Sequence, residues 1–224
     1  MDIASFIDAR SAAVVFGGTF VATLMRCGLE DCRRALAAIA AIGRAPGFDA
    51  DKVRAELAIQ VQQIHAEGIL RTPAHAMGDS EFDEVSGTLI GRRSVPALIA
   101  THEGHKARRM AFNNSAVRTL AQSSELAPVF GLAGTLLSLG LLPRTGISAT
   151  DYASTISMAV LATLYGLLLA NLVLAPLACI VNRRATAEEA ERQKVLDWLA
   201  DQVSGILPAP GAARARPATG REAA

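Results

Sequence analysis

The stretch Ile156–Val181, ISMAVLATLYGLLLANLVLAPLACIV, decides the fold. It carries no charged residue across twenty-six positions, and at about 1.5 Å per residue it makes a helix of roughly 39 Å, longer than the ~30 Å hydrocarbon core of a bilayer. Arg183 and Arg184 follow it. Ser157, Ala162, Thr163, Gly166 and Ala170 are spaced through it, and Ala162, Gly166 and Ala170 form a small-xxx-small ladder that lets two helix backbones approach. A membrane-spanning helix packed closely on a neighbour is the prediction.

Two other apolar segments lie upstream. Ala127–Leu142 (APVFGLAGTLLSLGLL) would be only about 24 Å long as a helix, so it spans by extending back through Val117–Leu126 or by being shielded by neighbouring protein. Gly131 and Gly134 give it a small face for helix packing, and Pro143, Arg144 and Gly146 break it. Ser11–Met25 (SAAVVFGGTFVATLM) reaches spanning length by recruiting Ile3–Ala9. Asp2 and Asp8 replace the basic start of a signal peptide, and Arg26, Cys27 and Gly28 stand where a small-residue cleavage site would follow, so this segment is retained. Arg26, Arg33, Arg34, Arg183 and Arg184 put one set of span ends in the cytoplasm, which turns the N-terminus outward.

The rest of the chain is polar enough to form a folded part outside the bilayer. Of 224 residues, 51% are hydrophobic and only 19% charged, too apolar for an ordinary soluble domain yet not a bare bundle of spans. A net charge of +1, with no free-standing basic cluster, argues against nucleic acid as a partner. Cys27, Cys32 and Cys179 lack metal-ligand spacing and read as reduced structural thiols. Residues 29–67 read as two helices, the second capped by Asp49 or Asp51 and stopped by Gly68, with Val53, Leu57, Val61 and Ile64 as its packing stripe. Pro73, Gly78, Gly87 and Gly91, mixed with Asp79, Glu81, Asp83 and Glu84, make residues 69–92 an irregular exposed loop. A helix from about Glu103 to Glu125 leads into the second apolar segment, residues 185–206 form an amphipathic helix carrying Trp198, and the tail after Leu207 is disordered.

The fold class is therefore all-α: an integral membrane protein with three transmembrane helices and a helical cytoplasmic domain. Its divisions are a first transmembrane segment at 1–26, a cytoplasmic helical domain at 27–116, a two-span channel domain at 117–182, a cytoplasmic amphipathic helix at 183–206 and a tail at 207–224.

Enzyme signatures are missing: there is no Walker loop, dinucleotide fingerprint or nucleophile elbow. His102 and His105 have H-x-x-H spacing without a third ligand, so they read as residues of a solvated helix; His65 and His75 are isolated. No cofactor or metal is expected. The last two spans offer uncharged polar groups instead, Thr135 and Ser138 in one and Ser157, Thr163 and Asn171 in the other, suited equally to helix packing and to hydrating an ion. Neither Ala127–Leu142 nor Ile156–Val181 contains Asp, Glu, Lys, Arg or His. Proton and cation relays in membranes use such groups, so if ions pass, another chain supplies the carboxylate.

Three blocks resemble successive transmembrane segments of the MotA/TolQ/ExbB family, nearest to its MotA and PomA flagellar stator branch: FIDARSAAVVFGGTFVATLMR at Phe6–Arg26, ELAPVFGLAGTLLSLGLL at Glu125–Leu142 and MAVLATLYGLLLANLVLAPLA at Met158–Ala178. The pattern T-L-Y-G-x-x-L-A-N-x-V-x-x-P-x-A in the third is the most specific. The resemblance implies five copies of this chain around two helices of a single-span MotB-like or ExbD-like partner whose aspartate binds H+ or Na+, in contact with membrane lipid of the bacterial inner membrane. It implies that Thr135 and Thr163 face the ion pathway, and that Pro128 and Pro176 couple ion flow to conformational change. A threonine at position 135 is similar to the sodium-type stators. The expected function is an ion-channel subunit of an ion-driven motor, with cell-envelope energising of the TolQ and ExbB kind, or a non-conducting scaffold, as alternatives. Two departures stand out. The stator branch carries a further transmembrane helix before the F-I-D segment, and its A-R-R-x-G-L-L-A-L-E motif, which engages the rotor, is replaced by QIHAEGILRTPA at Gln63–Ala74, leaving Arg108, Arg109 and Arg118 as substitute rotor-contact residues.

Overall fold

A computed structural model describes residues 8–44, 48–68, 78–140 and 149–205 of the chain. All regular structure among them is helical. The elements are α1 (Ala9–Cys27, with a wide π-helical turn at Ala13–Gly17), α2 (Leu29–Ile42), α3 (Ala50–Glu67), α4 (Ser80–Arg92), α5 (Val95–Gly140), α6 (Ala149–Leu168) and α7 (Ala175–Ser204), the last two joined by a second π-helical turn at Leu169–Leu174. Pro73, His75, Pro143, Arg144, Gly146 and the tail 207–224 lie outside the described residues, as does the reading made of them.

One continuous helical run, Tyr152–Ser204, is long and apolar enough to cross a bilayer, while Ala9–Cys27 counts only together with Leu29–Ile42, from which it is bent by 117°. Gly28, at φ +84°, makes that bend in a backbone region that side chains disfavour. Of the Ile3–Ala9 stretch expected to extend the first helix, residues 3–7 lie outside the described residues and Ala9 is the helix's first residue. Asp8 has extended dihedrals and its carboxylate accepts from the Arg10 and Ser11 N–H groups, so it caps the helix and ends it there.

The chain forms two compact units. The first comprises Met1–Ala45 and Met110–Ala185, and one of its packed clusters joins Ala35 and Ala38 of α2 to Ala116 and Leu120 of α5 and to Ala178 and Val181 of α7. Outward-facing side chains in this unit are large and apolar, with Leu136 71% and Leu172 70% exposed. The second unit, Pro46–Arg109 with Thr186–Ala224, has an ordinary globular core of Leu57, Val61, Phe82, Val85, Leu89, Leu98, Leu196, Leu199 and Val203. Unit boundaries after 45, 109 and 185 differ from the sequence divisions after 26, 116 and 182.

Asp49 is the cap of α3, accepting from the Lys52 N–H, and Val53, Leu57, Val61 and Ile64 are buried as its stripe. The loop expected over 69–92 is not a loop from residue 80 onward. Asp79 accepts from the Glu81 and Phe82 N–H groups and starts α4, whose Phe82, Val85 and Leu89 recur at i, i+3 and i+7 and are each 1% exposed. Gly87 and Gly91 meet nothing within 4 Å of an added Cβ and are simply tolerated in the helix. Helix α5 begins at Val95, ahead of the expected Glu103, and runs unbroken through Pro128 to Gly140.

The histidines of α5 also depart from expectation. His102 and His105 are buried, 2% and 7% exposed, because α4 and the latter half of α7 close over them. His102 tilts against the Phe82 ring at 6.0 Å, with its Nε2 3.7 Å from Glu189; His105 Nε2 is 3.0 Å from the Glu84 carboxylate. Burial holds the His102 imidazole below its usual range, against the opposing pull of Glu189. Beside them, Arg192 reaches Asp79 at 3.0 Å, Glu188 at 3.1 Å and Glu81 at 3.3 Å while covering the Phe48 ring at 4.2 Å. Arg109 pairs with Glu81 and forks onto Glu189 at 2.8 Å. Its guanidinium is thereby paired within the unit.

Candidate ion-pathway site

Helices α5 and α6 meet backbone to backbone. A Cβ built on Gly166 would lie 2.7 Å from the Ala127 carbonyl oxygen and 3.0 Å from the Gly131 Cα; one on Gly131 would lie 3.1 Å from the Ala162 carbonyl oxygen; one on Gly134 would lie 3.0 Å from the Ala162 Cβ. Only glycine fits such an approach. Ala162 and Ala170 are buried at 0% and 2% exposure, so the ladder read from the sequence is the contact face itself. Across from it, Gly18 of α1 admits the Phe130 ring of α5, which a Cβ there would meet at 2.3 Å.

This approach brings the two threonines together. Thr135 Oγ1 and Thr163 Oγ1 are 2.6 Å apart, and Thr135 Oγ1 also lies 3.0 Å from both the Gly131 and Ala159 carbonyl oxygens. Thr163 Oγ1 is 3.5 Å from the Ala159 carbonyl. Each hydroxyl has one proton and two lone pairs, so two hydroxyls and two carbonyls form a small oxygen-rich cluster with only two protons to share. Both threonines are half-buried. Such a cluster has lone pairs to offer a passing cation or hydronium, and no proton-binding group of its own. Ser138 instead donates to the Gly134 carbonyl and Asn171 to the Leu167 carbonyl, each within its own helix.

Both prolines sit at weakened points of the helix ladder. Pro128 lies inside α5 and has no N–H for the Ser124 carbonyl. Pro176 follows the π-helical turn Leu169–Leu174; it offers no N–H to the Leu172 carbonyl and its ring crowds that carbonyl, which accounts for the widened turn ahead of it. Sequence reasoning passed over two residues near the cluster. Tyr165 accepts at Oη from the Asp8 N–H at 3.2 Å, and Ser11 donates to the Met158 carbonyl at 3.2 Å, so the start of α1 is fastened to α6. The Asp8 capping position was the signal available for them.

A second line of hydroxyls runs along α5. Ser115 donates to Asp31 at 2.6 Å, Thr119 and Ser123 each donate to the carbonyl four residues back, and Thr23 of α1 donates to Ser123 at 3.1 Å. Two of these bonds stay within α5 and two tie it to α1 and α2, which makes a packing seam.

Comparison with known proteins agrees with this architecture. Residues 89–194, which include Pro128, both threonines and Pro176, match the model of the MotA/TolQ/ExbB proton channel family. Motility protein A of Cereibacter sphaeroides is 23% identical over 201 residues, 88% of this chain and 78% of its own length, and motility protein A of Borreliella burgdorferi is 31% identical over 85 residues, 38% of this chain and 33% of its own. The fold is similar to that in the flagellar MotAB stator complex of Bacillus subtilis, with a TM-score of 0.82 at 14% identity over 92% of this chain and 82% of that one, and to that in C. jejuni MotAB, with 0.76 at 16% identity over 90% and 78%. The glycine-packed helix pair with its two facing threonines thus lies inside the segment, residues 89–194, that matches the MotA/TolQ/ExbB proton channel family, and the chain is similar to MotA-like proteins of that family.

Proposed function

We propose that the chain is the channel subunit of a MotA-like, ion-driven stator in the bacterial inner membrane, working with a single-span partner to turn H+ or Na+ flow into mechanical work. One observation carries this reading: the Thr135–Thr163 hydroxyl pair at 2.6 Å, set against backbone carbonyls between apolar helix segments, 127–142 and 156–181, that lack Asp, Glu, Lys, Arg and His. An oxygen cluster of this kind can replace part of an ion's hydration shell, but cannot hold a proton through a relay step. The acid therefore belongs to a MotB-like partner. Three spans are proposed: α1, the apolar end of α5, and α6 continued through the π-helical turn into α7. About five copies would surround the partner helices, and Pro128 and Pro176 would couple ion passage to helix movement. Motility proteins and MotAB stators among the relatives support the motor reading over envelope transport.

The test is ion flux in vesicles containing this chain and its partner at equal complex abundance. Thr163→Val and Thr135→Val keep side-chain shape and remove a hydroxyl, so each should cut flux several-fold while leaving assembly intact. Unchanged flux in both variants returns the threonines to packing alone, and flux without any partner refutes the assignment of the acid to another chain.

A further inference from the structure

The Ala170 carbonyl is unusual within its helix. An α-helical carbonyl accepts from the N–H four residues ahead, yet this one accepts from the Ala175 N–H, five ahead, at the end of the π-helical turn. It also accepts from the Ser124 hydroxyl of α5 at 3.1 Å. Ser124 is the residue whose own carbonyl Pro128 deprives of a donor. Two locally loosened stretches of helix are thus joined by a single side-chain hydrogen bond. Neighbouring α5 hydroxyls behave differently: Thr119 donates to Ser115, Ser123 to Thr119 and Ser138 to Gly134, each back onto its own helix.

We infer that Ser124 is a latch that holds the π-helical turn Leu169–Leu174 and the missing rung that Pro128 leaves in the α5 hydrogen-bond ladder in one fixed pairing. The turn has two hydrogen-bond registers, five-residue and four-residue. Passing from one to the other rotates the helix on one side of the turn relative to the other by about 100°, one residue's share of a 3.6-residue turn. The Ser124 proton adds a donor to the Ala170 carbonyl, and the pairing of Gly166 with Ala127, one turn away on each helix, keeps the two backbones close enough for it to reach. When the latch is closed both weak points are held; when it opens, they are released together.

Hydrogen-exchange mass spectrometry on the full chain in lipid nanodiscs tests this without measuring flux, so its failure is distinct from failure of the channel reading. Ser124→Ala should speed exchange several-fold in peptides covering both 120–132 and 166–178. Ser124→Thr keeps the hydroxyl and should exchange as wild type does, and Ser138→Ala should leave both segments unchanged. Should Ser124→Ala not fold, Ser124→Cys, a weaker donor of similar size, takes its place with an intermediate rise expected. Unchanged or slower exchange over 166–178, or a rise confined to one segment, overturns the latch.

Discussion

Replacing Gly166 by alanine puts a methyl 2.7 Å from the Ala127 carbonyl oxygen and 3.0 Å from the Gly131 Cα. Carbon contacts settle at about 3.5–4.0 Å, so α5 and α6 must part by up to about 1 Å at that point. Both obstacles are backbone and cannot rotate aside. Overpacking of this kind costs about 1–3 kcal/mol, whereas exchanging glycine for alanine inside a helix returns about 1 kcal/mol of propensity. The net expected for Gly166→Ala runs from no change to a loss of about 2 kcal/mol. Gly104 of α5 has nothing within 4 Å of an added Cβ, so Gly104→Ala should show the propensity gain alone, about 0.5–1 kcal/mol. Reversible denaturant unfolding of the purified chain in mixed micelles measures both variants on one scale. Parting the helices also stretches the 2.6 Å Thr135–Thr163 contact, so flux should fall along with stability. A Gly166→Ala variant stabilised as much as Gly104→Ala would refute the close-approach argument.

Acid should weaken the second unit through His102. Burial depresses its folded pKa below the usual 6.5, so the unfolded chain binds the extra proton first; this stability is present above about pH 6.5 and is lost as pH falls toward the folded value, by no more than about 1.4 kcal/mol per pH unit. Unfolding followed from pH 7.5 to 5 should show that slope, and His102→Gln should flatten it; equal slopes in both would remove His102 as the cause. The proposed topology makes a cysteine at Gly146 reactive to an impermeant thiol reagent in intact cells, in a background with the exposed Cys179 replaced, while Ala55→Cys stays silent. Labelling at position 55 would invert the arrangement.

Much of the first unit was legible because its contacts are local in pattern. Small residues four apart in α6 face Gly131 and Gly134, so spacing alone named the contact face, and the facing of Thr135 and Thr163 follows from it. The second unit was harder to read. In α4 the Phe82, Val85 and Leu89 stripe was masked by two glycines and four acids, and the capping signal at Asp79 outweighed them. His102 and His105 looked solvated since nothing near them in sequence buries them; their cover comes partly from Glu189 and its neighbours, more than eighty residues on. The π-helical turn left a trace only in Pro176, and a pattern of residue types does not reveal which carbonyl Ser124 will choose.

The second unit is assembled from two separated pieces of chain, and that fixes an order of events during synthesis. Residues 48–98 supply Phe48, Leu57, Phe82, Leu89 and Leu98, but Val195, Leu196, Leu199 and Val203, which complete the same core, emerge from the ribosome about 5–20 s later. In that interval α5 and α6 are made. Until α7 is made, the face of that core bearing Phe48 and Phe82 stays without the residues that cover it. Closure of the core by α7 therefore waits until the whole of α5 and α6 has been made, so the second unit, though it begins early in the chain, is finished last.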